Sequence, residues 1–260
     1  MNRRTLRTVS CAGLLLLLAG LVPGAAQAAD RVGARVYYWF PDLSGTIAVS
    51  EAGIPGTSLD VVGTLGVKDE DFVSGEAFFR LWRFVFRLGY TPVSYDGDAV
   101  LSQDIVFNGQ TFSVSERVVS KLDMDMVDGE VEFELLRPDF VAFNLNLGVL
   151  AKVKYLDGFA ELSSATAGTE RHDFSLPFPM VGAAAGVGVL KNFVRADVRL
   201  AGLGYSGESM LEAEGYVSVI PFPFLRIQGG YRYLSVDVEE DEGVADLEIK
   251  GPYLGLQLAF

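Results

Sequence analysis

Beyond residue 30 the chain alternates apolar and polar positions with a period of two, in segments separated by clusters of Gly, Pro, Asn and Asp. Phe84, Phe86, Leu88 and Tyr90 interleave with Arg87 and Gly89, and Leu254, Leu256, Leu258 and Phe260 interleave with Gly255, Gln257 and Ala259. Successive side chains of a strand point to opposite faces, so this rhythm specifies β-strands with one apolar face. It predicts ten of them, over residues 31–49, 72–82, 84–107, 110–136, 140–163, 173–190, 193–205, 210–220, 225–240 and a last strand beyond an acidic tip at 239–243. The expected fold class is all-β, a transmembrane antiparallel up-and-down β-barrel of about ten strands. Merging or splitting the 49–72 segment gives eight or twelve.

In such a barrel the charged residues have one place to go. An Arg or Lys at the midplane of the lipid-facing surface costs roughly 2–4 kcal/mol, so the polar series must line the lumen. This assigns inward Glu76 and Arg80 on the second strand, Arg83 and Arg87 on the third, and Asp128, Glu130, Glu132 and Glu134 on the fourth. Asn144, Asn146, Lys152 and Lys154 follow on the fifth, then Arg195, Asp197 and Arg199 on the seventh, Glu212 and Glu214 on the eighth, and Arg226, Gln228 and Arg232 on the ninth. Gly182, Ala184, Gly186 and Gly188 on the sixth leave space.

Asn108-Gly109 is the strongest hairpin signal in the chain, the dipeptide of a type I′ turn. If it sets the register, Arg87 lies opposite Glu130 and Arg83 opposite Glu134, and two lumenal ion pairs are expected there. A Glu214–Arg232 pair across the 221–224 turn is a weaker version of the same inference. Asp123 and Asp125 fall out of phase with Asp128 and Glu130, and a bulge near Val127 would shift these partners. Opposite charges on neighbouring strands of so narrow a barrel favour a filled lumen over a pore. The alternative is a narrow channel whose charges orient a small polar solute.

The first 28 residues read as a cleavable secretion signal. Arg3, Arg4 and Arg7 precede a Leu-rich apolar run, and Ala26-Gln27-Ala28 supplies the small-x-small cleavage pattern. Two regions are therefore expected, the signal at 1–28 and a single barrel at 29–260. The one cysteine, Cys11, lies ahead of the apolar run, the wrong end for a lipid-bearing residue. Cleavage leaves 232 residues without a thiol, and hence without disulfides or thiolate chemistry. Spread over ten strands, that length exceeds the ~9–11 residues a tilted strand needs to cross a bilayer, so tall hairpins must project on one side. No apolar run after the signal approaches the ~18–20 residues of a membrane helix. Of 21 basic and 34 acidic residues the signal removes three Arg, leaving 18 against 34, a net charge of −16 that disfavours nucleic acid as a partner.

Candidate chemistry is sparse. The one histidine stands in Arg171-His172-Asp173-Phe174-Ser175, where a strand would turn Ser175 to the face opposite His172. That departs from the His-x-Ser spacing of outer-membrane lipid hydrolases, and an omptin-like acid and histidine set is incomplete. The acidic tip from Asp237 to Glu242, with Asp246 and Glu248, offers oxygen ligands without the spacing of a calcium loop, and at most a cation bridge to lipopolysaccharide. Tyr37, Tyr38, Trp39, Trp82, Tyr90, Tyr155, Tyr205, Tyr231 and Tyr233 are expected in interfacial girdles. No catalytic, cofactor or metal site is expected.

The signal, the alternation of short turns and long loops, the Asn108-Gly109 hairpin and the closing Leu254, Leu256, Leu258, Phe260 series resemble those of Gram-negative outer-membrane β-barrel proteins across the whole mature chain. The segments Tyr38-Trp-Phe-Pro-Asp-Leu-Ser-Gly45 and Val106-Phe-Asn-Gly-Gln-Thr-Phe112 are similar to those of small barrels of that group without assigned roles. The resemblance implies outer-membrane lipid and lipopolysaccharide as surroundings and insertion by the barrel-assembly machinery reading the Phe260 end. The expected role is structural or surface-binding and non-catalytic. A porin-like channel is the alternative and a lipid-modifying hydrolase the third.

Overall fold

The computed structural model describes residues 31–51, 53–140, 142–190, 192–205, 208–240 and 243–260. The secretion signal expected at 1–28 and parts of the acidic tip lie outside the described residues. Fourteen strands occur among the residues described: β1 (Val32–Trp39), β2 (Asp42–Val49), β3 (Leu59–Asp60), β4 (Phe72–Leu81), β5 (Phe84–Val100), β6 (Ile105–Phe107), β7 (Gln110–Phe112), β8 (Arg117–Leu136), β9 (Phe143–Ser164), β10 (Gly168–Val189), β11 (Val194–Tyr205), β12 (Glu208–Phe222), β13 (Leu225–Glu240) and β14 (Gly243–Ala259). The ring runs β1-β4-β5-β8-β9-β10-β11-β12-β13-β14 and closes by antiparallel pairing of β14 with β1. It is a closed ten-strand antiparallel barrel.

β1 and β2 are one barrel strand broken at Phe40-Pro41. Trp39 pairs with Tyr253 and Asp42 with Lys250, so the offset against β14 is unchanged across the break. Pro41 has no N–H to give the ladder. Above the break β2 loses β4 as a neighbour, and the segment after it fills the seam. β3 pairs with β2, Val67 bridges to Gly97 of β5, and the Lys68 amide donates to the Asp96 carbonyl at 3.2 Å.

The β5–β8 hairpin keeps a single register from Phe84↔Phe133 to Val100↔Arg117, with Arg87 opposite Glu130 as the turn dictates. No bulge interrupts it near Val127. Asp123 and Asp125 therefore face outward, where the Tyr90 hydroxyl donates to Asp125 at 2.6 Å. The strands expected at 84–107 and 110–136 are each interrupted, and the tip β6–β7 folds back over the mouth. Its driving force is burial: Ile105, Phe107 and Phe112 join Leu59, Leu65, Leu101 and Leu162 in a core at the long-loop end. Asn108 (φ 49°) and Gly109 (φ 76°) take the left-handed backbone that a type I′ turn requires.

Outward-facing Phe79, Leu88, Val131, Leu147, Val198, Val217, Leu254 and Leu256 are all exposed and form an apolar belt around the half of the barrel nearest the short turns. A Cβ on Gly182 would lie 1.9 Å from the Leu200 carbonyl oxygen, whereas one on the outward Gly129 meets nothing within 4 Å. Gly182→Val should lower unfolding stability in vesicles by about 1–3 kcal/mol by overpacking, and Gly129→Ala should stay within about 0.5 kcal/mol. Urea titration of the refolded barrel measures both.

Candidate functional site

The centre of the lumen is a layer of charge built by alternation on eight strands. Among the described residues it unites six cations, Arg35, Arg87, Lys152, Lys154, Arg199 and Arg232, with six anions, Glu76, Asp128, Glu130, Glu132, Glu212 and Glu214. They form two groups. In one, Arg35 bridges Glu76 (3.0 Å) and Glu214 (2.7 Å), Arg199 contacts Glu76 (3.1 Å), Glu130 (3.5 Å) and Glu214, and Arg87 contacts Glu130 (2.6 Å) and Glu132 (2.7 Å). In the other, Lys152, Lys154 and Arg232 converge on Asp128 and Glu212, with Arg232–Glu212 at 3.0 Å and Lys152–Glu212 at 2.7 Å. One group has an excess anion and the other an excess cation, so the layer as a whole is neutral. Every ion but Glu132, which is held by Arg87, has at least two partners of opposite charge, the condition under which desolvated charges are tolerated.

Aromatic side chains complete the layer. The Tyr253 hydroxyl donates to Glu214 at 2.6 Å, and Arg232 donates to the Tyr37 hydroxyl at 2.9 Å. The Arg35 guanidinium lies 4.8 Å from the Tyr37 ring centre and that of Arg232 lies 5.0 Å from Trp39. Tyr37 and Trp39, expected in a girdle, are instead buried in the lumen. The inward phase of Arg35 carries them there, two and four residues on. Sequence reasoning missed Arg35 and Tyr253; the period on the first strand, applied to its one mid-strand charge, would have found the former. Tyr38, Trp82, Tyr90, Tyr155 and Tyr231 are exposed on the outer surface.

Two expected ion pairs are redirected. Arg83 is exposed at the turn, its guanidinium 5.9 Å from the Trp82 ring, and Glu134 is paired instead with Arg80 and Arg137. The positive φ of Trp82 (56°) belongs to a tight turn that carries Arg83 out of the strand phase. Glu214 does stand opposite Arg232 in the ladder, but Arg232 reaches diagonally to Glu212, leaving Glu214 to Arg35 and Arg199. Near the short turns Arg195 pairs with Asp197 at 2.6 Å, and Gln228 donates to Gln257 at 2.8 Å. Arg226 is half-buried there. Leu254, Leu256 and Leu258 face outward on β14, and the Phe260 carbonyl accepts the Val32 amide at 3.0 Å.

Toward the long loops the lumen turns apolar and encloses a cavity of about 340 Å³, with Leu43, Met124, Leu156, Leu234 and Ile249 among its walls. His172 lines its rim, half-buried in β10, and Ser175 faces the other way, 2.5 Å from the Tyr155 hydroxyl. Among the described residues no group of His, Cys, Asp and Glu side chains is placed to hold a metal ion.

A closed barrel with an apolar outer belt and a buried ionic centre is the architecture of Gram-negative outer-membrane β-barrels, and comparison with solved structures agrees. The outer membrane protease OmpT from Escherichia coli aligns with a TM-score of 0.51 over 91% of this chain and 99% of that one, at 9% identity. Neisserial surface protein A (NspA) aligns at 0.35 over 88% and 97%, with 12% identity. The attachment invasion locus protein Ail of Yersinia pestis aligns at 0.33 over 88% and 99%, also with 12% identity. No protein-family model and no curated protein matches the chain. What is shared at such identities is the fold.

Glu214→Ala would take from the buried Arg35 and Arg199 a carboxylate that both contact, leaving them Glu76 and Glu130, and should cost about 3–5 kcal/mol, whereas Arg83→Ala should be neutral within about 0.5 kcal/mol; urea unfolding in vesicles separates them. At the long-loop end Glu116 accepts the Ser164 hydroxyl at 2.6 Å and the Ser113, Thr166 and Ala167 amides, clasping the β5–β8 tip to the β9–β10 turn. These donors lower its pKa from 4.5 to about 2. A depressed carboxylate stabilises above its unfolded value and loses that effect as pH falls through the folded one. Amide exchange of residues 101–116 should therefore be flat from pH 7 to about 5, once corrected for intrinsic rates, and rise as the pH falls from there toward 2. Glu116→Gln should show the faster exchange already at pH 7.

Proposed function

We propose that the protein is an integral, non-conducting barrel of the bacterial outer membrane with a structural or surface-binding role and no catalytic activity. In this reading residues 1–28 direct export, and the barrel-assembly machinery inserts the chain by way of its Leu254, Leu256, Leu258 and Phe260 strand among outer-membrane lipid and lipopolysaccharide. The observation that carries the proposal is the charge layer. The space left within it is a cavity of about 20 Å³, room for about one water. Side chains bonded across the lumen from β1, β4, β8, β9, β11, β12 and β13 leave little space for a file of water or ions, which supports the non-conducting reading. The separation of Ser175 from His172 argues against a hydrolase, since a nucleophile and its base must share a face.

Planar-bilayer recording tests this reading. The wild-type barrel should insert without conductance steps in concentrated KCl, and Arg35→Ala/Arg199→Ala, which empties the middle of the layer, should give resolvable openings. Stable steps from the wild-type protein would favour the narrow channel instead.

A further inference from the structure

The cavity above the charge layer has the form of a ligand site. Its volume of about 340 Å³ falls in the ~300–1,000 Å³ range of small-molecule pockets. Strand alternation turns Leu122, Met124, Leu156, Phe174, Leu234 and Leu247 into it, while the charged neighbours Lys121, Glu161 and Asp173 belong to the outward phase. An apolar chamber of this kind holds water poorly and takes apolar ligands.

The chamber has a floor and a cover. Below it lies the ionic layer, and above it the β6–β7 tip, tied down by the Thr57 amide to the Val106 carbonyl (2.9 Å), the Val106 amide to Thr57 Oγ1 (2.9 Å) and the Asn108 amide to the Val49 carbonyl (3.1 Å). The side wall is open on one flank. β10 pairs with β11 only from Val181↔Gly202 down to Val189↔Val194, although it pairs with β9 along its whole length. Among the described residues the outer half of β10, residues 168–180, has no strand partner on that flank. β12–β13 pairing ends at Ser209↔Asp237 on the other side of the gap. Pro177 and Pro179 lie in this unpaired stretch, where residues without an N–H keep a free edge from recruiting another strand. The gap begins at Met180, opposite Lys152 of β9, and rises past Pro177, whose partner Tyr155 stands exposed on the outer wall beside the top of the apolar belt.

We infer that this chamber binds a single alkyl chain, entering sideways between β10 and β13 at the level of the outer membrane interface. The occupant is a long-chain amphiphile whose tail fills the chamber and whose head stays near the rim at His172. The inference deepens the surface-binding reading and uses the charge layer only as its floor. Conductance tests that layer and tail binding tests the chamber, so either can fail alone.

The chain has two tryptophans, Trp39 and Trp82. Trp39 packs in the same cluster as Leu43, Leu234 and Ile249 of the chamber wall, while Trp82 is exposed at a short turn. In a Trp82→Phe background, Trp39 fluorescence reports the chamber. Two arms distinguish the source of the tail: free dibromostearic acid added to vesicles of unbrominated phosphatidylcholine, and vesicles of phosphatidylcholine with dibrominated chains. Saturable quenching is expected in at least one arm, the first identifying a free amphiphile and the second a membrane lipid. Ala160→Phe and Ala245→Phe, which fill the chamber from opposite walls, should each weaken quenching at least about tenfold; retained heat-modifiable gel migration identifies the folded variants. Absence of quenching in both arms, or equal quenching in a folded filled variant, would overturn the inference.

Discussion

Hydrocarbon does not solvate charge, and this constraint orders the whole molecule. Every strand that crosses the apolar belt must send its ionic residues to one face, and closure of the ring gathers those faces into a single interior. Once gathered, the ions must satisfy one another. The balance of six cations and six anions among the described residues, nearly all of them shared between two or more partners, is the outcome. Tyr37, Trp39 and Tyr253 occupy what the charged chains leave, and the filled centre follows from the same requirement that keeps the outer wall apolar.

The rule inverts where the barrel leaves the belt, and it does so without any change of register. On β8, Glu130, Glu132 and Glu134 point inward while Val127 and Val131 point out; a few residues further toward the long loops, Met124 and Met126 are buried and Asp123 and Asp125 face outward. On β14, Leu254, Leu256 and Leu258 face out, whereas Leu247 and Ile249 face in with Asp246 and Glu248 outside. Two solvents act on one ladder. Lipid outside puts polarity within, and water outside puts apolar side chains within. The ionic layer and the apolar chamber above it are consequences of one strand phase read against two surroundings.

Much of this was legible along the chain. The period of two gave the barrel, and Asn108-Gly109 fixed the β5–β8 register closely enough to set Arg87 against Glu130. What failed did so where phase alone is insufficient. Arg83 lies in a tight turn that breaks the alternation, and Arg232 chose between two inward glutamates on the neighbouring strand by diagonal reach. Asp123 and Asp125 suggested a bulge because a single lipid-facing rule was applied to strands that outgrow the membrane. The folded-over β6–β7 tip and the unpaired flank of β10 depend on where unequal neighbouring strands end, information carried by no single strand.

The partition of side chains between lipid, water and lumen is tested most directly by spin labels. The sole cysteine, Cys11, precedes β1, so with Cys11→Ser single cysteines can be placed along β8 without background. In vesicles, nitroxides at positions 127 and 131 should collide with oxygen dissolved in the bilayer, those at 123 and 125 with an aqueous nickel chelate, and that at 126 with neither. Lipid contact at positions 123 and 125, or oxygen access at 126 equal to that at 127, would contradict the account.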